Sequence, residues 1–82
     1  MIRVSSVTAE PDFYLRLTFS NKEQRRFDTS PYLNFPVYHR LRNPVFFELA
    51  RVEYGTVVWP GDIDIAPETL YDRSSLIDIA PA

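Results

Sequence analysis

The sequence predicts a small α+β domain, in which one antiparallel sheet is covered by one or two short helices. Three observations support this fold class. Apolar and polar residues alternate in the N-terminal part, short polar turns separate these segments, and two later segments begin with proline-led helix signals. A chain of 82 residues with 45% hydrophobic residues suits one folded domain over residues 1–82. We expect a three-stranded N-terminal meander and a C-terminal hairpin.

The N-terminal strands are predicted from residue alternation. The segment "IRVSSVTAE" is rich in Val, Ser and Thr, and Pro11-Asp12 ends it. The next segment, "FYLRLTFS", alternates strictly, which is typical of a half-buried strand. Its inward side chains are Phe13, Leu15, Leu17 and Phe19. After the turn "NKE", the segment "QRRFDT" predicts a third strand with Phe27 inward, and the short turns favour antiparallel pairing.

The middle of the chain contains two helix-start signals. Ser30-Pro31 predicts one helical turn with Ser30 as the N-cap, because proline is favoured at the first helical position. Asn43-Pro44 repeats the signal and predicts a helix of about two turns. In that helix we expect Phe46, Leu49 and Ala50 to close over the sheet, while Glu48 faces water.

The C-terminal part predicts a hairpin followed by a helix start. Apolar strands flank Gly55, which supplies the positive φ that a tight turn needs. Trp59 ends the second strand and is expected in the core with Leu17 and Phe27. Pro67 predicts the start of a helix whose Leu70 and Tyr71 pack inward. The apolar end, "LIDIAPA", predicts no defined element.

The order of these segments resembles the domain of unknown function 2442 family over nearly the whole chain. The blocks that carry the resemblance are "RVSSV", "YLRLTFS", "RRFD", "LRNPVFF", "GTVVWP" and "DIAPETLY". Members place Asn-Gly after the Trp-Pro pair, whereas this chain has Gly61 and Asp62, so the type of this turn stays open. The resemblance implies an α+β fold with an antiparallel sheet and no assigned activity.

The resemblance also implies a partner. Members are often encoded beside another small protein, which suggests one half of a toxin–antitoxin-like pair. Some members carry an added helix-turn-helix segment, for which we expect no room in 82 residues.

Composition excludes several classes of site. The chain has no Cys and only two Gly, so disulfides, thiolate sites and glycine-rich phosphate loops are not expected. We expect no cofactor. Signal-peptide and membrane-spanning segments are also not expected, which favours a cytoplasmic protein. Residues 1–51 carry a net charge of +3 and residues 52–82 a net charge of −5.

The acidic stretch "TVVWPGDIDIAPETLY" could be an acidic active site or metal loop, or a strand, a turn and a helix start with an acidic outer side. Asp62 and Asp64 alternate as calcium ligands do, but Ala66 and Pro67 break the pattern. We therefore expect both carboxylates to face outward without a metal. His39 is the single histidine and no nucleophile-elbow motif is present, so we expect a surface histidine and no enzyme activity.

Two candidate surfaces remain. The leading hypothesis is a protein-interaction module, with a small protein encoded nearby or a second copy of the chain as partner. Its candidate residues are Tyr32, Phe35, Tyr38, Arg40 and Arg42, and we expect at least one of these aromatic rings to stay exposed. The alternative is a nucleic-acid-binding or regulatory domain whose sheet face carries Tyr14, Arg16, Arg25 and Arg26, of which one of the last two shares the face. The pI of about 5.2 disfavours this alternative.

Overall fold

The computed structural model describes residues 2–77, which form two antiparallel sheets and a few short helices. The small α+β fold is therefore confirmed. The elements are β1 (Val4–Glu10), β2 (Tyr14–Phe19), β3 (Gln24–Asp28), α1 (Pro44–Phe47), β4 (Arg51–Glu53), β5 (Thr56–Trp59), β6 (Ile63–Ile65), α2 (Pro67–Asp72) and β7 (Ser75–Leu76). The first sheet has the order β1-β2-β3-β7, and the second has the order β4-β5-β6.

The first sheet follows the predicted alternation. Leu15 and Leu17 of β2 and Phe27 of β3 are fully buried on its inner face, and Leu15 pairs with Phe27 in the antiparallel register. Phe13 departs from the prediction because it lies in the turn before β2. Its φ of 65° takes the side chain out of the strand alternation.

The second sheet contains the predicted hairpin and one further strand. Glu53 pairs with Thr56, so Tyr54 and Gly55 form a two-residue turn, and their φ angles of 55° and 75° are those of a type I′ turn. β6 then pairs with β5 and extends the hairpin to three strands. Sequence reasoning missed this strand because three residues give too short a run of alternation.

The backbone angles describe the turn after Pro60, which the sequence left open. Gly61 and Asp62 both have positive φ, at 87° and 61°, and together with Pro60 they connect β5 to β6. A Cβ at position 61 would lie 2.5 Å from Nη1 of Arg40, so a larger residue there would displace this exposed guanidinium. The displaced glycine therefore serves both the turn and the arginine that covers it.

α1 begins as predicted but presents a different side chain to the core. The Asn43 side chain accepts a hydrogen bond from the Val45 amide at 2.9 Å, which caps the helix. Phe47 is the buried residue of the segment, whereas Phe46 is half-buried and Leu49 is exposed. Phe46 and Ala50 pack partly buried against the core, as expected. The expectation for Leu49 was wrong, because the helix ends at Phe47 and its helical spacing does not continue to Leu49.

The segment between β3 and α1 consists of short 3-10 turns. One spans Ser30–Tyr32 and another spans Pro36–Arg42. The predicted turn at Ser30 is present, but Ser30 is not its cap. The Asp28 carboxylate instead accepts hydrogen bonds from the Ser30 amide at 2.9 Å and hydroxyl at 2.7 Å. Asp28 precedes the turn by two residues and its short side chain closes an Asx turn.

α2 leads the chain back to the first sheet. Leu70 is fully buried, and the Tyr71 ring packs edge-on against Phe19 at 5.1 Å between centroids, as the prediction of inward packing requires. β7 then pairs with β3, with Leu76 opposite Arg25. The sequence did not predict this strand. The rest of the apolar end, residues 78–82, lies outside the described residues.

The two sheets enclose one core. The Val4 amide donates to the Gly55 carbonyl at 2.8 Å, which ties β1 to the β4–β5 hairpin. Trp59 is 1% exposed and belongs to the same buried cluster as Leu17 and Phe27, so its predicted burial is confirmed. Over residues 2–77, none of the helices has the length and apolar character needed to cross a membrane.

Candidate functional site

The outward face of the first sheet carries an ionic network. Glu10 pairs with Arg16 and Arg26, with carboxylate-to-Nε distances of 3.1 and 3.0 Å. The Arg26 guanidinium also lies over the Tyr14 ring, 3.8 Å from its centroid. Arg16 pairs with Arg26 across β2 and β3, so without Glu10 two like charges would face each other.

Glu10 changes the charge that this face can offer to a ligand. The hydrogen bond from Arg16, followed by that from Arg26, holds the pKa of the Glu10 carboxyl below its usual value, although partial burial opposes the shift. Glu10 therefore stays ionised at neutral pH and offsets one of the two arginine charges. Sequence reasoning missed Glu10. The signal that could have found it is its register in a β1–β2 hairpin, which places Glu10 near Arg16, the basic residue of β2.

Arg25 does not belong to this face. The two-residue period of a strand places Arg25 and Arg26 on opposite faces of β3. Arg25 lies on the inner side, where it donates to the Ser74 hydroxyl at 2.7 Å and to the Ser74 carbonyl at 3.0 Å. It also pairs with Glu23 at 2.8 Å and lies 4.4 Å from the Tyr71 ring centroid. Of the four candidate residues, the structure brings together only Tyr14, Arg16 and Arg26.

The second candidate set forms a row of packed rings. Tyr32 stacks on the buried Phe27 at 5.4 Å between centroids, and Phe35 and Tyr38 contact Tyr32 edge-on at 6.2 and 6.5 Å. Tyr32 and Tyr38 are half-buried, whereas Phe35 is 52% exposed. The expectation that one of these aromatic rings stays exposed is confirmed for Phe35. We call the set Tyr32, Phe35, Tyr38, Arg40 and Arg42 the aromatic–arginine surface.

Tyr38 anchors this surface to the second sheet. Its hydroxyl donates to the Asp64 carbonyl at 3.0 Å. Burial raises the pKa of the Tyr38 phenol, and the Asp64 carboxylate and Tyr32 add to the shift. Tyr38 is therefore a neutral hydrogen-bond donor at physiological pH, and it holds the 3-10 segment Pro36–Arg42 against β6.

Both arginines of the aromatic–arginine surface are exposed, but only one has a defined contact. Arg40 lies over the Phe46 ring at 4.4 Å and covers Gly61, so it links α1 to the β5–β6 turn. Arg42 is exposed and forms no ion pair among residues 2–77. A shallow depression of about 530 Å³ lies beside them. Its lining residues are His39, Arg40, Arg42, Asn43 and Phe46.

The acidic stretch consists of β5, a turn, β6 and the start of α2. Asp62 and Asp64 are exposed, as predicted, whereas Ile63 and Ile65 are buried. In the part of the chain that the structure describes, no three His, Cys, Asp or Glu side chains are grouped as a metal site would need. The exposed His39 ring lies 3.2 Å from the Asn34 carbonyl. The absence of metal, cofactor and enzyme activity remains a prediction.

The comparisons with known proteins identify the family. Residues 4–75 match the profile of a family described as "Protein of unknown function (DUF2442)". The chain belongs to this family. No curated protein matches the sequence. A solved structure similar to this DUF2442 chain is that of a "putative DNA binding protein" from Nitrosomonas europaea, with a TM-score of 0.79 and 24% sequence identity. The match covers 89% of this chain and 48% of that protein, so the chain spans about half of its length. This likeness shows the fold.

Proposed function

We propose that this DUF2442 chain is a non-catalytic protein-interaction module that binds a partner through the aromatic–arginine surface. The observation that carries the proposal is Phe35, whose ring is 52% exposed at the end of a packed aromatic row. Aromatic and arginine side chains supply most of the binding energy at protein interfaces. Val37, which is 60% exposed, adds apolar area within the same segment.

The local structure supports the proposal because it fixes Phe35 before binding. Pro31 and Pro36 restrict the backbone on both sides of the ring. The Phe35 amide donates to the Tyr32 carbonyl at 3.1 Å, and Tyr32 itself stacks on the buried Phe27. A side chain that is already ordered loses little conformational entropy when a partner covers it.

The partner that we propose is a small protein encoded beside this chain, in a toxin–antitoxin-like pair, as the family resemblance implies. A second copy of the chain is the alternative occupant of the same surface. Both occupants would cover Phe35 and place polar or acidic groups near the exposed Arg42. The proposed location in the cell is the cytoplasm, where such a pair would meet.

Site-specific photocrosslinking tests the proposal. A photoreactive phenylalanine at position 35 should crosslink to one defined protein in cells. The same residue at position 54, where Tyr54 is 90% exposed in the β4–β5 turn, is the matched control and should not. Phe35→Asp should abolish the complex that light scattering detects. The thermal unfolding midpoint of this variant should stay within a few degrees of the wild-type value. Equal crosslinking at both positions, or a complex that survives Phe35→Asp, would contradict the proposal.

Nucleic-acid binding is the second candidate function. It is favoured by the Tyr14–Arg26 stack beside Arg16 on an open sheet face, because bases stack on aromatic and guanidinium planes. The fold likeness to the Nitrosomonas europaea protein points in the same direction. Glu10 weakens the candidate because it lies between the two arginines and would repel a phosphate.

Fluorescence anisotropy with labelled single-stranded DNA, RNA and duplex DNA separates the two candidates. Under the leading proposal, all three oligonucleotides stay unbound at physiological salt. Under the second, Arg16→Gln and Arg26→Gln should each weaken binding, and the affinity should fall steeply with salt. The matched control is Arg73→Gln, which removes the same charge from an exposed residue beside α2.

A further inference from the structure

We infer that the pocket between the β1–β2 turn and the start of α1 binds an arginine side chain of a protein partner. The pocket has a volume of about 480 Å³, within the range of sites that hold small groups. Its lining residues are Ala9, Glu10, Pro11, Asp12, Phe13, Pro44, Phe47 and Glu48. None of them belongs to the aromatic–arginine surface, so this site is additional to the proposed function.

The half-buried Phe13 ring forms the accessible aromatic wall of the pocket, and the buried Phe47 ring supports it. Phe13 and Phe47 meet edge-to-face, with 5.3 Å between centroids and 77° between ring planes. The Phe47 carbonyl accepts a hydrogen bond from Nε1 of Trp59 at 2.9 Å, and the Phe13 carbonyl accepts one from the buried Thr29 amide at 2.9 Å. Both wall residues are therefore tied to the core, and the pocket is formed before a ligand arrives.

The backbone at this pocket is strained. Asp12 and Phe13 have consecutive left-handed φ angles of 64° and 65°. Asp tolerates this conformation, but for a bulky phenylalanine it is a true outlier. Such residues persist where the surroundings hold them, and they cluster at binding sites. Here the conformation takes Phe13 out of the strand alternation and into the wall beside Phe47.

The charges of the lining select a cation. Three lining residues are acidic and none is basic. Glu10 is held by Arg16 and Arg26, whereas Asp12 and Glu48 are exposed and form no ion pair among residues 2–77. A guanidinium can stack on an aromatic ring and donate hydrogen bonds in its plane to carboxylates, while the apolar stem covers the wall. Charge complementarity therefore favours an arginine.

A chemical-shift titration with the peptide acetyl-Gly-Arg-Gly-amide tests the site. The matched neutral probe has citrulline in place of arginine, and agmatine represents a free small cation. We expect the arginine peptide to shift the amide signals of Ala9, Phe13 and Glu48 in a saturable way. The citrulline peptide should leave them unchanged. The response to the arginine peptide should weaken with salt, because the carboxylates are exposed.

Matched variants test whether the carboxylates of Asp12 and Glu48 are responsible for binding the arginine peptide. The double variant Asp12→Asn with Glu48→Gln should lower the affinity for the arginine peptide by about fivefold or more. Asn accepts the left-handed backbone as Asp does, so the turn should survive. The control combination is Asp62→Asn with Glu68→Gln, because Asp62 shares the left-handed conformation (φ 61°) and the exposure of Asp12. This control should change the affinity by less than about twofold.

Four outcomes would overturn the inference. The citrulline peptide could bind as well as the arginine peptide, which would remove the role of charge. The two double variants could lose affinity equally, or the shifted signals could lie away from the lining residues. Agmatine binding about tenfold more tightly than the peptide would make the ligand a free organic cation and not a partner's side chain.

Discussion

The two faces of the first sheet use the same residue type in opposite ways. Arg25 and Arg26 are neighbours on β3, yet Arg25 packs on the inner side against Tyr71 and the Ser74 backbone, whereas Arg26 lies in a solvated pair with Glu10. Arg25 thus connects β3 to the segment after α2, and Arg26 connects β3 to β1 across β2. The face of the strand that an arginine occupies therefore decides its role here.

The largest expected effect is a loss of stability when an apolar side chain of the inner face is removed. Phe27→Ala removes a fully buried ring that stacks on Tyr32, so the free energy of unfolding should fall by about 3–5 kcal/mol. Urea unfolding followed by the fluorescence of Trp59, the single tryptophan, measures it. A loss below about 1 kcal/mol would mean that the inner face is not a packed core.

The two arginines give the next effect. Arg25→Ala breaks partly buried hydrogen bonds to Ser74 and should lower the free energy of unfolding by about 1–2 kcal/mol. Arg26→Ala removes an exposed ion pair and should cost about 0.5 kcal/mol or less. The two variants are each other's control in the same urea experiment. Equal losses would break the contrast between the faces.

The smallest effect concerns the pH dependence of the outward face. The folded-state pKa of Glu10 is lowered by Arg16 and Arg26, so its contribution to stability is present above the ordinary glutamate pKa of about 4.3. The contribution is lost as the pH falls through the lowered folded-state value. Glu10→Gln should therefore cost under about 1 kcal/mol at pH 7, and the difference from wild type should be smaller at about pH 3.

Urea unfolding of both proteins at the two pH values measures this effect. The comparison with Glu10→Gln is needed because Glu23 also has a lowered pKa, caused by hydrogen bonds from Tyr71 and Arg25. Glu23 therefore adds to the acid sensitivity of both proteins alike. A difference that grows as the pH falls would have the wrong sign for the Glu10 network.

Much of the fold could be predicted because its signals are local. The alternation of Leu15, Leu17 and Phe19, the Asn43 cap and the Gly55 turn each depend on a few neighbouring residues. The candidate surfaces could be predicted only in part. Exposure of Phe35 followed from the number of aromatics in a short segment. The strand period divides Arg25 from Arg26, but the contacts of Arg25 with Ser74 depend on tertiary packing.

The fold class, the order of most strands, the helix starts and the outward position of Asp62 and Asp64 follow from local sequence signals. Long-range packing is responsible for the pairing of β7 with β3, for the deeper burial of Phe47 than of Phe46, and for the contact of Phe13 with Phe47 at the pocket. The physical reason is distance along the chain. Helix caps and strand periods are set by adjacent residues, whereas contacts such as Arg25 with Ser74 depend on how the whole core packs.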